Sequence, residues 1–226
     1  FLSLNLELNM LRGTLTAAAG LAITGSASSA FVSFVCTYAN TTNSGQALTV
    51  YNVFARFNGA TDTLLNAYNF AALGGSSLTG FWHKDLNSAS SNVLTQAYGT
   101  WSPSQTGSAV NNRPYDSYLT IGNQAVGTNT TNADPSWPAA EGGWDRPTLP
   151  GNGTIGWFNS SPPNNQGRVG VGVNTATDVR VGQFVLSQGD VSQRTYSLTI
   201  GYNDGAGSAA QFATATFSLS NPCPTY

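Results

Sequence analysis

The chain has 226 residues, enough for one large domain with a sizeable core, yet charged side chains make up only 8% of it, against roughly 25% in ordinary soluble domains. A net charge of −2, with eight Lys and Arg spread singly, offers no basic footprint for nucleic acid. No run reaches the roughly 18 apolar residues of a membrane span in the mature chain, and a single histidine excludes any site that needs two.

In chain order, residues 1–30 carry two patterns. Phe1 to Asn9 alternates, with Leu2, Leu4, Leu6 and Leu8 on one strand face. Then Arg12 follows the only methionine, Met10, Leu15 to Ile23 is apolar and Ala-rich, and Ser28-Ser-Ala30 is a small-residue cleavage site before Phe31. That is the layout of a secretory signal peptide, with residues 1–9 upstream of it. If retained, the Leu strand is a candidate to pair with a like subunit, as in a filament.

A single domain over 31–220 is expected to open with strands Phe31–Tyr38, Leu48–Phe57 and Thr63–Phe70, separated by turns at Asn40–Gly45 and Asn58-Gly59. Gly/Ser-rich loops, an aromatic cluster Phe81-Trp82-His83, a strand near Val93–Trp101 and another at Ser117–Ile121 follow. Gly122 to Gly167 shows no convincing strand or helix, and a loop of that length is either functional or misassigned. Arg168 to Val173 regains a period of two, with three valines on one face and Gly170 and Gly172 on the other, which suggests close backbone approach.

The last third is the clearest part of the chain. Asp178 to Ser187 is apolar on both faces, as in a covered strand. Arg194 to Tyr202 puts Tyr196, Leu198, Ile200 and Tyr202 on one face, and Ala213 to Ser220 does the same with Ala213, Ala215, Phe217 and Leu219. With a turn at Asn203-Asp204-Gly205 between them, the two read as a hairpin. Residues 221–226, with Asn221-Pro-Cys-Pro224, look like the start of a linker.

Cys36 and Cys223 lie near opposite ends of the domain. If its first and last strands are neighbours, a disulfide closes it; two buried free thiols, or a Cys223 belonging to a following module, are the alternatives. Trp137, Trp144 and Trp157 lie in the long loop beside amide side chains. They either stack on a polysaccharide or dock the loop onto the sheet as a second core, the commoner arrangement. Asn40, Asn129, Asn152 and Asn159 head four glycosylation sequons of a kind that chance also produces in an Asn/Ser/Thr-rich chain.

Catalytic patterns are weak. Gly151 to Gly156 matches a dinucleotide fingerprint by letter, without the strand before it or the helix after it. His83 with Asp85 lacks an activated nucleophile, and Glu141 with Asp145 reads as two solvated carboxylates in a Gly-rich loop. No cofactor or metal motif is present.

At Tyr51-Asn-Val-Phe-Ala-Arg-Phe57, Asp62-Thr-Leu-Leu-Asn66, Phe81-Trp-His-Lys84, Asp116-Ser-Tyr-Leu-Thr-Ile-Gly122, Gly156-Trp-Phe-Asn159 and Val179-Arg-Val-Gly-Gln-Phe184, the chain resembles secreted, β-rich surface proteins of planctomycete type. Many of these carry a C-terminal exosortase (PEP-CTERM) sorting tail; the sequence ends at Tyr226 without one, so either the tail was removed or the chain is a fragment. The resemblance implies export and a cell-surface or matrix role, and it brings no catalytic residues.

Together these readings predict an all-β, antiparallel β-sandwich, jelly-roll or Ig-like, of roughly eight to ten strands with long Gly/Asn/Pro-rich loops at one end. The expected function is that of an exported, non-enzymatic surface or matrix protein. A carbohydrate-binding module using the Trp137–Trp157 loop is the alternative, and a filament subunit with an N-terminal donor strand the third reading.

Overall fold

The structure is a computed structural model that describes residues 30–43, 45–76, 80–82, 115, 117–122, 129–134, 144–145, 156–190, 194–205 and 207–224, with backbone alone at 133–134 and 144–145. Residues 1–29, which hold the expected Leu2–Leu8 strand and all but Ala30 of the segment read as a signal peptide, and the strand expected at Val93–Trp101 lie outside these residues.

Two antiparallel sheets pack face to face, as an all-β sandwich requires. The four-stranded sheet contains β1 (Phe31–Asn43), β2 (Gln46–Phe57), β5 (Tyr118–Leu119) and β9 (Asp178–Ser187), in the order β1-β2-β9-β5. The five-stranded sheet contains β3 (Thr63–Leu73), β6 (Thr131–Asp134), β8 (Gly156–Asn159), β10 (Arg194–Asn203) and β11 (Gln211–Leu219), in the order β11-β10-β3-β8-β6. A two-stranded ribbon joins β4 (Phe81–Trp82) to β7 (Trp144–Asp145).

The core follows from strand alternation. Tyr51, Val53, Ala55 and Phe57 of β2 share one core with Leu198, Ile200 and Tyr202 of β10, and Phe70, Phe184, Tyr196 and Phe217 form its aromatic centre. Phe70 stacks parallel to Phe217 at 6.2 Å and meets Trp157 edge-on at 6.1 Å. Each such side chain contributes roughly 1.5–3 kcal/mol by leaving water.

β9 is apolar on both faces for two reasons. A bulge opposite Val53 and Phe54 lets Val53 pair with Gly182 and Phe54 with Arg180, so the inward positions change parity from Val179 and Val181 to Phe184 and Leu186. On the outer side, Val185 joins Leu48, Val50 and Trp82 in a second apolar cluster. β4 therefore serves both layers, with Phe81 in the main core and Trp82 outside it.

Two expectations are corrected. The stretch from Gly122 to Gly167 contains β6, β7 and β8, strands of two to four residues too short to show a period; β8 pairs with β3 on one side and β6 on the other. Arg168 to Val173 is not a strand but a single bridge, Thr63 to Arg168, followed by tight turns. Gly170 and Gly172 have φ of 70° and 62°, and nothing would touch a Cβ at either. Positive φ, not close approach, is what these positions demand of glycine.

Candidate functional site

β1 and β11 are edge strands of opposite sheets and lie side by side, and here Cys36 is disulfide-bonded to Cys223 with Cα atoms 5.9 Å apart. Alternation alone would put Val32, Phe34, Cys36 and Tyr38 on one face of β1; Phe34 and Cys36 face the core, whereas Val32 and Tyr38 are 56% and 40% exposed. A register shift between Phe31 and Ser33 turns Val32 away. Beside the bridge lies an open groove of ≈470 Å³ lined by Val35, Thr37, Tyr38, Arg56 and Pro224. At its margin Arg56 makes a two-pronged ion pair with Asp178, Nε to Oδ1 at 2.8 Å and Nη2 to Oδ2 at 2.9 Å. The guanidinium holds the Asp178 carboxyl below its ordinary range, and the carboxylate raises Arg56 in turn.

The tryptophan reading resolves differently for each residue. Trp157 is 1% exposed, and its Nε1 donates to the Thr120 carbonyl at 3.0 Å. It docks the loop onto the sheet and offers no ring to a sugar, which corrects the polysaccharide reading at this position. Trp144 is described by its backbone, which pairs with Trp82, and Trp137 lies outside the described residues.

Around Trp157 the chain builds a hydrogen-bonded amide cluster that the sequence did not announce. Gln166 Nε2 donates to the Ile121 carbonyl, Asn129 Oδ1 and Thr131 Oγ1 at 2.7–3.0 Å, and its Oε1 accepts from the Thr130 N–H. Asn174 Nδ2 donates to the carbonyls of Gln166 and Arg168. Two sequon asparagines belong to this cluster. Asn129 Nδ2 donates to Thr120 Oγ1, and Asn159 Nδ2 donates to Asn164 Oδ1 while its Oδ1 accepts from Thr130 Oγ1. Both are buried, so the folded domain presents neither for glycosylation. Asn40 is exposed, its Oδ1 accepting from Thr49 Oγ1, and Asn152 lies outside the described residues. His83, Asp85 and Glu141 also lie outside them, and Asp145 is described by backbone alone. Among the described residues no three His, Cys, Asp or Glu come together as a metal site.

The outer face of the five-stranded sheet holds a different arrangement. Its register lines up Phe212, Gly201, Asn66, Phe158 and Asn132 in one row across all five strands. The next row is Thr214, Thr199, Tyr68, Gly156 and Asp134, and beyond it come Thr216, Ser197 and Ala71. Phe212 is 63% exposed and Phe158 47%, while Tyr68 meets Phe212 edge-on at 6.4 Å. A Cβ at Gly201 would come within 3.1 Å of the Phe212 ring and 2.5 Å of Asn66 Oδ1, so glycine is what lets both side chains lie over β10. Thr199 and Thr214 share a hydroxyl hydrogen bond at 2.8 Å, and Thr195 and Ser218 another at 2.9 Å. Asp134, described by backbone alone, is the one acidic position in these rows, and none of their positions is Lys or Arg. Phe212 stands in the sequence at the polar parity of its strand, whereas Phe158 falls in the stretch read as loop, and only the pairing brings the two onto one row.

Compared with models of protein families, with curated proteins and with solved structures, the chain matches none. Among the described residues no helix is long and apolar enough to cross a membrane.

Proposed function

We propose that the chain is an exported, non-enzymatic structural module of a cell surface or extracellular matrix. The observation that carries this reading is the Cys36–Cys223 disulfide, since such bridges form and persist in oxidising compartments and are rare where thiols are kept reduced. The outer face of the five-stranded sheet supports it as well. Exposed Thr214, Thr216 and Asn132 favour hydrogen-bonded contacts, which salt weakens far less than contacts between exposed charges. On this reading the segment from Met10 to Ala30 directs export and the low charge of the chain suits a crowded, neutral matrix.

The test is to fractionate the source cells with an antibody against the folded domain, and to weigh the recovered protein intact, with and without reductant. Recovery in the envelope or matrix, with a gain of about two hydrogens on reduction, is the expected result. Recovery in the cytosol with both thiols free overturns the reading.

A further inference from the structure

We propose that the outer face of the five-stranded sheet is a binding platform for a neutral polysaccharide chain, lying along the row Phe212, Gly201, Asn66, Phe158 and Asn132. This deepens the reading of the chain as a matrix module, on which it rests, by naming the partner of that face.

Phe212 and Phe158 stand on β11 and β8, three strand spacings apart, or roughly 14 Å at about 4.8 Å per strand. Two rings at that separation meet different sugars of one chain. Between them lies an amide, Asn66, and beside them Tyr68 sits in contact with Phe212. Aromatic faces stack on the apolar C–H faces of sugar rings, and amides and hydroxyls exchange hydrogen bonds with the sugar hydroxyls around the rim.

The composition of the face chooses among occupants. Phe212 and Phe158 do not form one continuous apolar patch, because Gly201 and Asn66 separate them and Thr214, Thr216, Ser197 and Asn132 surround them. A second protein surface covering this face would have to match each of those donors and acceptors or leave it buried without a partner, at a cost of roughly 1–3 kcal/mol each. A polysaccharide carries hydroxyls at that density. Asn66 Oδ1 is already covered and has no donor, and a turn of its amide toward an incoming sugar hydroxyl supplies one. Charge selects within the class. With no Lys or Arg among the described side chains of these rows, an acidic polysaccharide finds no counter-charge, whereas a neutral one needs none.

The experiment is native affinity electrophoresis of the purified, oxidised protein through gels containing hydroxyethylcellulose, xylan, galactomannan or laminarin, with polygalacturonate as the acidic contrast. At least one neutral polymer should retard the protein, equally so at about 1 M salt, where charge interactions are screened within about 3 Å. Phe212→Ala and Phe158→Ala should each weaken retardation roughly tenfold. Gly201→Ala should weaken it by displacing Asn66 and Phe212, with the circular dichroism spectrum unchanged in all three. Retention by none of the neutral polymers overturns the proposal, as does retention that the double Phe212→Ala, Phe158→Ala variant leaves intact, or retention by polygalacturonate alone. Absence of retention together with a concentration-dependent dimer that Phe212→Ala dissolves assigns the face to a second copy and overturns it too. The gel reads the face of the purified protein, and cell fractionation reads its location, so failure of one is distinguishable from failure of the other.

Discussion

Cys36 and Cys223 are separated by 187 residues in the chain and by 5.9 Å between Cα atoms, so one covalent bond ties the β1 edge of one sheet to the segment that follows β11, the edge of the other. Closing a loop of that length restricts the unfolded chain strongly, by about 5 kcal/mol on chain-entropy reasoning, with measured effects more often 2–4 kcal/mol. The double variant Cys36→Ser, Cys223→Ser should therefore lose about 2–5 kcal/mol in urea unfolding. Reductant should lower the wild-type midpoint by a similar amount and leave the variant unmoved.

Gln166 is the hub of the amide cluster, and its replacement tests whether that cluster holds the long loop to the sheet. Gln166→Leu removes donors to Ile121, Asn129 and Thr131 and an acceptor for the Thr130 N–H. Buried polar groups left without partners cost roughly 1–3 kcal/mol each, and local relaxation recovers part of it, so a net loss of about 2–4 kcal/mol is expected. Ser208→Ala, at an exposed position between β10 and β11, should stay within about 0.5 kcal/mol of the parent. Thermal unfolding of both variants beside the wild type decides the matter.

Burial pushes the Tyr196 phenol up to about 12 from an ordinary value of 10.0. A raised value means that the folded state prefers the neutral phenol. The stabilisation is therefore complete below about pH 10 and is lost as the pH climbs from there toward about 12. Alkaline conditions should remove on the order of 2–3 kcal/mol through this group. Tyr196→Phe should show a flatter stability profile over that window, measured as urea midpoints at successive pH values. Asp178 works in the opposite direction. Its value is lowered by Arg56, so its contribution is present above the ordinary carboxylate range and disappears as the pH falls through the depressed value.

Much of the sandwich is legible in the sequence. β10 and β11 alternate so regularly that Tyr196, Leu198, Ile200, Phe217 and Leu219 are expected inward, and all are buried. β2 and β3 fall within a few residues of where their patterns place them, because alternation is a local property of a strand that keeps one face wet. Where the pattern fails, a non-local cause is at work. β6 and β8, four residues each, are too short to show a period, and they are strands because β8 adds to β3 and β6 adds to β8. The valines of 168–173 alternate like a strand, yet the glycines between them turn the backbone through positive φ.

The candidate site divides along the same line. Trp157 stands out in the sequence as an aromatic residue in a loop, but whether a ring faces solvent or core depends on what packs above it, and here Phe70 and Thr120 help to enclose it. Phe212 and Phe158 carry no local signal of a shared role, being 54 residues apart and ordinary in their settings.

By itself the sequence determined the all-β class, the inward faces of the long strands and a composition nearly free of charge, since these follow from residue counts and from a period of two residues. Tertiary structure alone decided that Cys36 meets Cys223, that Asn129 and Asn159 are buried partners in an amide cluster, and that two phenylalanines share one exposed row. Each of these is a pairing between segments far apart in the chain, and register across a sheet is set by packing of the whole, not by any residue's neighbours in sequence.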